Sequence, residues 1–227
     1  MRADLPVSDQ SEPWQAVTGW LATDKAASLL SEHGLPLVPW SLAGSVNDAV
    51  QAAESFGYPV VLKAVRSDLL HKSDQGGVRL GLSGPDEVAT AGELLLELHP
   101  GSELLVQQQH HGVEVIVGGL RDPEFGPVVL VGMGGVDVEA HDDVVLALAP
   151  LGLDEAEAMV RRLRGAPALL GARRPAVDLT SLAEVVCCLG RLMADHPGME
   201  EVDLNPVLAR PDGCTVVDWR VRVSSSS

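Results

Sequence analysis

Apolar residues recur along the chain with two different periods, and these periods predict its helices and strands. Segments with a period of about 3.6 residues are typical of amphipathic helices, and short apolar or alternating runs are typical of strands. The predicted helices cover residues 21–34, 45–57, 84–98, 153–165 and 178–195. The predicted strands cover residues 34–40, 58–65, 78–82, 103–108, 113–120 and 127–133, with two more, joined by a Pro-Asp-Gly turn, in residues 200–223.

Capping residues mark where several helices begin and end. Ser45 and Asp48 have the spacing of a capping box, in which side chains satisfy the first free N–H groups of a helix. Thr23 is expected to cap the first helix and Gly34 to end it. Pro85 lies near the first turn of its helix, where proline is favoured.

The alternation of helices and strands predicts an α/β (α+β) fold with two lobes. The first lobe is expected to cover residues 21–106 and the second residues 107–223. Residues 1–20 show no period and are expected to be a tail or linker, and residues 224–227, all serine, a flexible tail.

The composition narrows the class of protein and its partners. The 227 residues are 46% hydrophobic, which indicates a globular chain, and carry a formal net charge of −16. This charge argues against nucleic acid or an anionic membrane as a partner. Cys187, Cys188 and Cys214 have no disulfide or C-x-x-C spacing, so we expect buried thiols in the reducing cytoplasm.

Lys63 stands inside the apolar run YPVVLKAV. A lysine in a buried strand costs free energy unless an anion faces it. The position therefore predicts a fixed cation that awaits a phosphate group. A lysine that reaches solvent from an edge strand is the alternative.

The loop after this strand, in LLHKSDQGGVRLGL, predicts an anion site. Eleven residues, 66–76, separate the two strands, and loops of this length inside compact domains are often functional. Ser73 and the N–H groups of Gly76 and Gly77 could form an anion nest, although the glycines could also make an ordinary hairpin turn. His71 is a candidate nucleophile toward phosphorus.

Three oxygen-bearing side chains near the C-terminus form a candidate Mg²⁺ site. Asp203 and Asn205 are two residues apart on a predicted strand and so share one face, and Asp218 is expected on the partner strand across the turn. Mg²⁺ takes few protein oxygens and completes its shell with water and phosphate oxygens. Because Asp and Asn also favour turns, a structural role is the alternative.

Taken together, three long motifs resemble the ATP-grasp domain of NDP-forming acyl-CoA synthetases. They are GYPVVLKAVRSDLLHKSDQGGVRLGL, LLVQQQHHGVEVIVGGLRDPEFGPVVLVGMGGVDVE, and EVDLNPVL followed by VVDWRV. The most similar member is the β subunit, or C-terminal ATP-grasp part, of ADP-forming acetyl-CoA synthetase, and succinyl-CoA synthetase β is a more distant relative. The resemblance covers about residues 20–222.

The resemblance implies a two-lobed ATP-grasp fold that closes on ATP or ADP with Mg²⁺. By similarity, Lys63 would contact the α-phosphate side, and Gly76 and Gly77 would lie in a flap over the phosphates. Glu114 would take the ribose hydroxyls. The hinge that meets adenine through main-chain groups would be Val106, Gln107, Gln108 and Gln109.

The resemblance also implies a reaction. Asn205 and Asp218 would hold Mg²⁺ with Asp203 beside them, and His71, in the HKSD motif, would be the phosphorylated histidine. The expected enzyme is an acid–thiol ligase that converts acyl-CoA, ADP and phosphate into acid, CoA and ATP. CoA and a small carboxylic acid would bind to a CoA-binding α subunit or domain, so a hetero-oligomer or a piece of a fused protein is expected.

Two positions depart from the family pattern. Ala147 stands where members usually carry Arg, and GARR, residues 171–174, replaces Gly-Tyr-Arg-Gly. These departures leave open a non-catalytic regulatory or interaction domain of a fused acyl-CoA synthetase-like or acetyltransferase protein. An ATP-grasp ligase of another kind, such as a carboxylate–amine ligase, is disfavoured because it needs no histidine relay.

Overall fold

Two antiparallel sheets, each covered by helices, form the molecule. The computed structural model describes residues 17–66, 76–135, 143–172 and 175–224. The helices are α1 Thr23–Glu32, α2 Val46–Phe56, α3 Pro85–Leu98, α4 Leu153–Arg162, α5 Ala166–Leu169 and α6 Leu179–Asp195. The strands are β1 Gly19–Trp20, β2 Trp40–Ala43, β3 Val60–Val65, β4 Val78–Leu82, β5 Glu103–Gln108, β6 Val113–Asp122, β7 Gly126–Met133, β8 Val144–Leu148, β9 Met199–Arg210, β10 Gly213–Val216 and β11 Trp219–Val223.

The smaller sheet has four strands in the order β2-β5-β3-β4. Its core packs against α2 and α3, and Leu62 and Ala64 of β3 point into that core. Because side chains alternate along a strand, Lys63 between them points to the opposite face of the sheet. That face is turned toward the larger sheet, whose connection before β11 it contacts.

The larger sheet has the order β1-β11-β9-β6-β7-β8, and β10 pairs with the second half of β9. Residues of α1, α4 and α6 share one core with the buried side of this sheet. The sheets also touch where Trp40 of β2 meets Trp219 of β11, with ring centroids 5.9 Å apart. The two lobes therefore form one packed body.

The ends of the predicted lobes differ from what the sequence pattern suggested. Gly19 and Trp20, assigned to a tail, pair with the last strand of the larger sheet. Helix α1, assigned to the first lobe, buries Ala27 and Leu30 in the core of the larger sheet. Its N-cap is Ala22 without a side-chain bond, so Thr23 is the first helical residue and not the cap.

The C-terminal segment contains three strands and not the predicted two. Strand β9 pairs with β10 through residues 207–210 and with β11 through residues 199–204. Asp218 therefore lies in the short connection between β10 and β11, and not on the strand across the turn. Strand β2 covers Trp40–Ala43 and overlaps the predicted strand 34–40 only at Trp40, and β8 and α5 were not predicted.

The three cysteines are free thiols. Cys187 and Cys214 are buried as expected, whereas Cys188 is half-buried, and burial raises the pKa of the Cys214 thiol to about 12.

In the described part of the chain, no helix has the length and apolarity needed to cross a membrane.

Candidate functional site

Lys63 bridges the two sheets. Its side chain is 11% exposed, and Nζ donates a hydrogen bond of 2.9 Å to the carbonyl oxygen of Val217. The same Nζ lies 3.5 Å from Oδ2 of Asp218. Lys63 is thus largely buried, as predicted, and its anionic partner in this structure is a predicted metal ligand.

Backbone hydrogen bonds fix the connection that carries Asp218. Val217 N–H donates to the carbonyl of Pro206 at 3.1 Å, and Asn205 N–H donates to the carbonyl of Asp218 at 3.2 Å. The Asp218 carboxylate accepts the N–H of Trp219 through Oδ1 at 3.0 Å. Oδ2 of Asp218 is therefore the carboxylate oxygen that faces Lys63.

Asp203 lies beside this connection on β9. It is paired in register with Arg220 of β11 and Gly118 of β6. Burial raises the pKa of Asp203 most, the Asp218 and Glu201 carboxylates raise it further, and the Arg220 guanidinium lowers it. The Asp218 carboxylate is therefore close enough to disfavour the charge of Asp203.

These residues fit Mg²⁺. The Asp218 carboxylate raises the free-energy cost of ionising Asp203, and a divalent cation between the two groups would relieve this cost. Asn205 adds an exposed side-chain amide two residues from Asp203. Among the described residues, no group of three His, Cys, Asp or Glu side chains could hold a metal. Two carboxylates and one side-chain amide suit an ion that takes few protein ligands and completes its shell with water and phosphate oxygens.

The predicted hinge is the end of β5. Val106 is buried in the core of the small sheet, and Gln107 is buried on the opposite face. The N–H groups of Gln108 and Gln109 donate to the carbonyls of Pro39 and Pro59. Neither backbone N–H group is free for adenine in this conformation.

Glu114 lies at the start of β6 with an exposed side chain. Two cavities of about 690 and 820 Å³ meet at residues 112–114. The Glu114 carbonyl accepts the N–H of Gly134 at 2.8 Å, and a Cβ added to Gly134 would lie only 2.8 Å from the Glu114 Cβ. A glycine at 134 thus keeps the backbone beside Glu114 close.

The glycine-rich loop is described only at its end. Gly76 has a φ of +71°, a value that suits glycine, and its carbonyl accepts a bond from Arg79 at 2.7 Å. Gly77 accepts the N–H of Ala64 at 2.8 Å. The predicted nucleophile His71 and the predicted nest residue Ser73 lie outside the described residues.

One departure from the family pattern lies away from the candidate metal ligands. Cross-strand pairing runs from Asp203 through Gly118 and Leu130 to Leu146, so these side chains share one face. Ala147 is the next residue and packs against the opposite, helix-covered core. In the GARR segment, Ala172 lines the larger cavity beside Glu114, and the two arginines lie outside the described residues.

Some site features had no sequence signal. The Val217 carbonyl is a backbone group that accepts hydrogen bonds from Lys63 and Gln107 of the other sheet. These bonds follow only from the tertiary fold. Arg220 pairs with Asp203 across β11 and β9, and nothing in the sequence pattern indicates that partner. Asp143 carries a structural role, because its carboxylate accepts the N–H groups of Arg164 and Gly165, each at 2.8 Å.

Comparison with known proteins identifies relatives of the chain. The family model described as ATP-grasp domain matches residues 14–223. The chain is 34% identical to subunit beta of acetate–CoA ligase (ADP-forming) I of Pyrococcus furiosus, over 88% of this chain and 90% of that subunit. It is 37% identical to acetate–CoA ligase (ADP-forming) I of Archaeoglobus fulgidus, where the match covers 97% of this chain but only 34% of that longer protein.

A solved structure shows the same fold. Acetyl-coenzyme A synthetase 1 of Ca. Korarchaeum cryptofilum, in complex with coenzyme A, Ca-AMPCP and HgCl⁺, has a TM-score of 0.86 and 38% identity over 91% of this chain and 94% of that chain. A second structure of that protein holds coenzyme A and Mg-AMPPCP, with its phosphohistidine segment pointing towards the nucleotide binding site. It matches over 91% of this chain and 93% of that one, with a TM-score of 0.80 and 36% identity.

Proposed function

Since this chain belongs to the ATP-grasp family, we propose that it is the nucleotide-binding and phosphoryl-transfer part of an ADP-forming acyl-CoA synthetase. The reaction is acyl-CoA + ADP + phosphate ⇌ acid + CoA + ATP. The observation that carries the proposal is the meeting of Lys63 with Asp218 between the two sheets. This contact brings the Lys63 cation together with one candidate metal-binding carboxylate.

The charges suit the transfer of a phosphoryl group. Lys63 donates to phosphate oxygens, and Asp218 and Asn205, with Asp203 beside them, hold Mg²⁺. The ion, when bound, neutralises charge on the phosphate oxygens. Glu114 orients the ribose, and residues 106–109 place the base.

His71 receives the phosphoryl group from a histidine of the CoA-binding part and gives it to ADP. In the second step, the bond between His71 nitrogen and phosphorus breaks, and a bond between phosphorus and the terminal oxygen of ADP forms. Support comes from the position of His71, in the loop that follows the strand of Lys63. The phosphohistidine segment of the Korarchaeum enzyme adds to it.

The sites for CoA and the carboxylic acid belong to a partner. The chain spans about a third of the single-chain relative and nine tenths of the beta subunit. We therefore propose that a CoA-binding α subunit or domain completes the enzyme. The three free thiols support a reducing compartment, the cytoplasm.

The non-catalytic alternative loses part of its support. It rested on Ala147 and on the GARR segment. Ala147 packs on the helix-covered face of the sheet, opposite the face of Asp203. Its replacement therefore removes no side chain from the face that carries the candidate metal ligands.

Calorimetric titration of the full chain with ADP and ATP, each with and without Mg²⁺, tests the proposed function. We expect saturable binding of one nucleotide per chain, tighter with Mg²⁺. A folded chain that takes up neither nucleotide would contradict the proposal. Circular dichroism before the titration establishes the folded state.

A further inference from the structure

The side chain of Gln107 joins the hinge strand to the predicted metal site. It is 2% exposed, near the end of β5, in register with Trp40 and Val61 of the flanking strands. A buried amide costs free energy unless its groups are hydrogen-bonded. Its Nε2 donates to the carbonyl of Val217 across the cleft at 3.1 Å.

The Val217 carbonyl receives two donors from the small sheet. Lys63 Nζ donates to the same oxygen at 2.9 Å. Lys63 and Gln107 point to the same face of the small sheet. Val61 is the register partner of Gln107, and Val61 and Lys63, two residues apart on β3, share a face. A carbonyl oxygen has two lone pairs, so these two side chains use its full capacity.

A phosphate would draw Lys63 away from this carbonyl. If Lys63 were its sole side-chain donor, the movement would leave the oxygen of a half-buried residue without a partner, which costs free energy. With Gln107 in place, the carbonyl keeps one donor after Lys63 has turned. The amide thus lowers the cost of moving the cation toward a ligand.

The same bond holds the predicted metal ligand. Val217 precedes Asp218, and their connection is tied to β9 through Pro206 and Asn205. Gln107 adds a tie from the small sheet that does not depend on the position of Lys63. The Asp218 carboxylate can therefore stay in place while its neighbouring cation moves.

We propose that Gln107 is a positioning residue that frees Lys63 for the phosphates and holds the Val217–Asp218 connection in place as it does so. This inference rests on the proposed function. It assigns to the Gln107 side chain a role distinct from main-chain contact with adenine.

Two variants and one control test the inference. Gln107→Leu removes the donor, and Gln107→Glu keeps the shape but places a carboxylate beside Lys63 and the carbonyl. Thr215→Val is the matched control, because Thr215 is buried and its hydroxyl accepts a bond from Arg210 and takes no part in the bonds to the Val217 carbonyl. Calorimetry gives the Kd of ADP with and without Mg²⁺ for each full-length chain.

We expect ADP to bind about tenfold more weakly to Gln107→Leu, the equivalent of one buried hydrogen bond. For Gln107→Glu, the loss should approach about a hundredfold, because its carboxylate both attracts Lys63 and repels the carbonyl. The loss should also appear without Mg²⁺, since the turning of Lys63 does not need the metal. Thr215→Val should stay within about twofold of wild type, at a similar loss of thermal stability.

The outcomes separate this inference from the proposed function. Wild-type chain that binds no ADP would overturn both. Wild-type binding with an unchanged Kd in folded Gln107→Leu, or an equal loss in Thr215→Val, would overturn the positioning role alone. If Gln107→Leu does not fold, the comparison of Gln107→Glu with wild type decides, because the isosteric variant keeps the packing.

Discussion

Lys63 is the residue on which the proposed site depends most. Its amine is buried, directed across the cleft, and within ion-pair distance of Asp218. Lys63→Ala should weaken the binding of MgADP by about tenfold to a hundredfold, because a charge-assisted bond to phosphate is lost. Calorimetry against Lys25→Ala, an exposed lysine of α1, provides the control; equal affinities for both variants would remove Lys63 from the site.

Asp203 should destabilise the folded chain when it is ionised. Burial, then Asp218 and Glu201, raise the pKa of Asp203 in the folded state above the ordinary value of 3.8. Between the ordinary pKa and the raised pKa, the folded state therefore binds more protons than the unfolded state. The free energy of unfolding therefore falls as the pH rises through this window. The free energy of unfolding of Asp203→Asn, relative to that of wild type, should therefore increase as the pH is raised from about 3 to 7.

Urea unfolding of both chains at a series of pH values measures this difference. The gain should be accompanied by weaker Mg²⁺-dependent nucleotide binding, because the variant lacks one candidate carboxylate. A stability difference that does not change with pH would show that burial of the Asp203 charge is not its source.

At this scale, single residues with unusual surroundings could be predicted from the sequence. Lys63 was conspicuous because charge in an apolar strand needs a partner. Asp203 and Asn205 were conspicuous because they share a face. Gln107 could be predicted only as part of the hinge, since the partner of its side chain is a backbone carbonyl brought near by tertiary structure. The roles of these residues stay predictions.

Among the elements, α2 offers the clearest local signal. The predicted cap by Ser45 is confirmed, because its Oγ accepts the N–H of Asp48 at 3.2 Å; the Asp48 carboxylate accepts the Ser45 hydroxyl at 2.7 Å. Ser45→Ala should lower the free energy of unfolding by about 1 kcal/mol. Ser55→Ala on the same helix removes only an exposed bond to Ala52 and should change it by less than about 0.5 kcal/mol.

Thermal or urea unfolding measures both helix variants. Equal losses for the two serines would mean that the cap adds nothing beyond an exposed hydroxyl bond. Nucleotide binding should be the same in both, because the side chains of these serines bond to Asp48 and Ala52 and to none of the candidate site residues.

Elements with a strong period were predicted, whereas those fixed by their neighbours were not. The helices α2, α3, α4 and α6 and the strands β3 to β7 lie where the pattern placed them. Strand β8 exposes Leu146 and Leu148, so it lacks the polar face that usually marks an edge strand. The last segment divided into three strands because β9 is long enough to pair with β10 at one end and β11 at the other.

For the molecule as a whole, the predicted family and fold class are confirmed. The ATP-grasp match covers residues 14–223, and the Korarchaeum synthetase superposes on most of the chain. The allocation of elements to lobes was less accessible, because an amphipathic helix such as α1 does not reveal which sheet it will cover. The position of α1 beside β11 depends on the pairing of the last strand, β11, with the first strand, β1.

The proposed relay through His71 is the central claim, and phosphoryl labelling of the full chain tests it most directly. The chain is incubated with Mg²⁺ and ATP labelled at the γ-phosphate, and His71→Ala and His33→Asn are treated alike; His33 lies at the C-terminal end of α1. Wild type and His33→Asn should carry an acid-labile, base-stable label on the peptide of His71 that ADP removes, whereas His71→Ala should bind nucleotide but stay unlabelled. Equal labelling of His71→Ala, or a wild-type chain that binds MgATP without taking label, would contradict the relay.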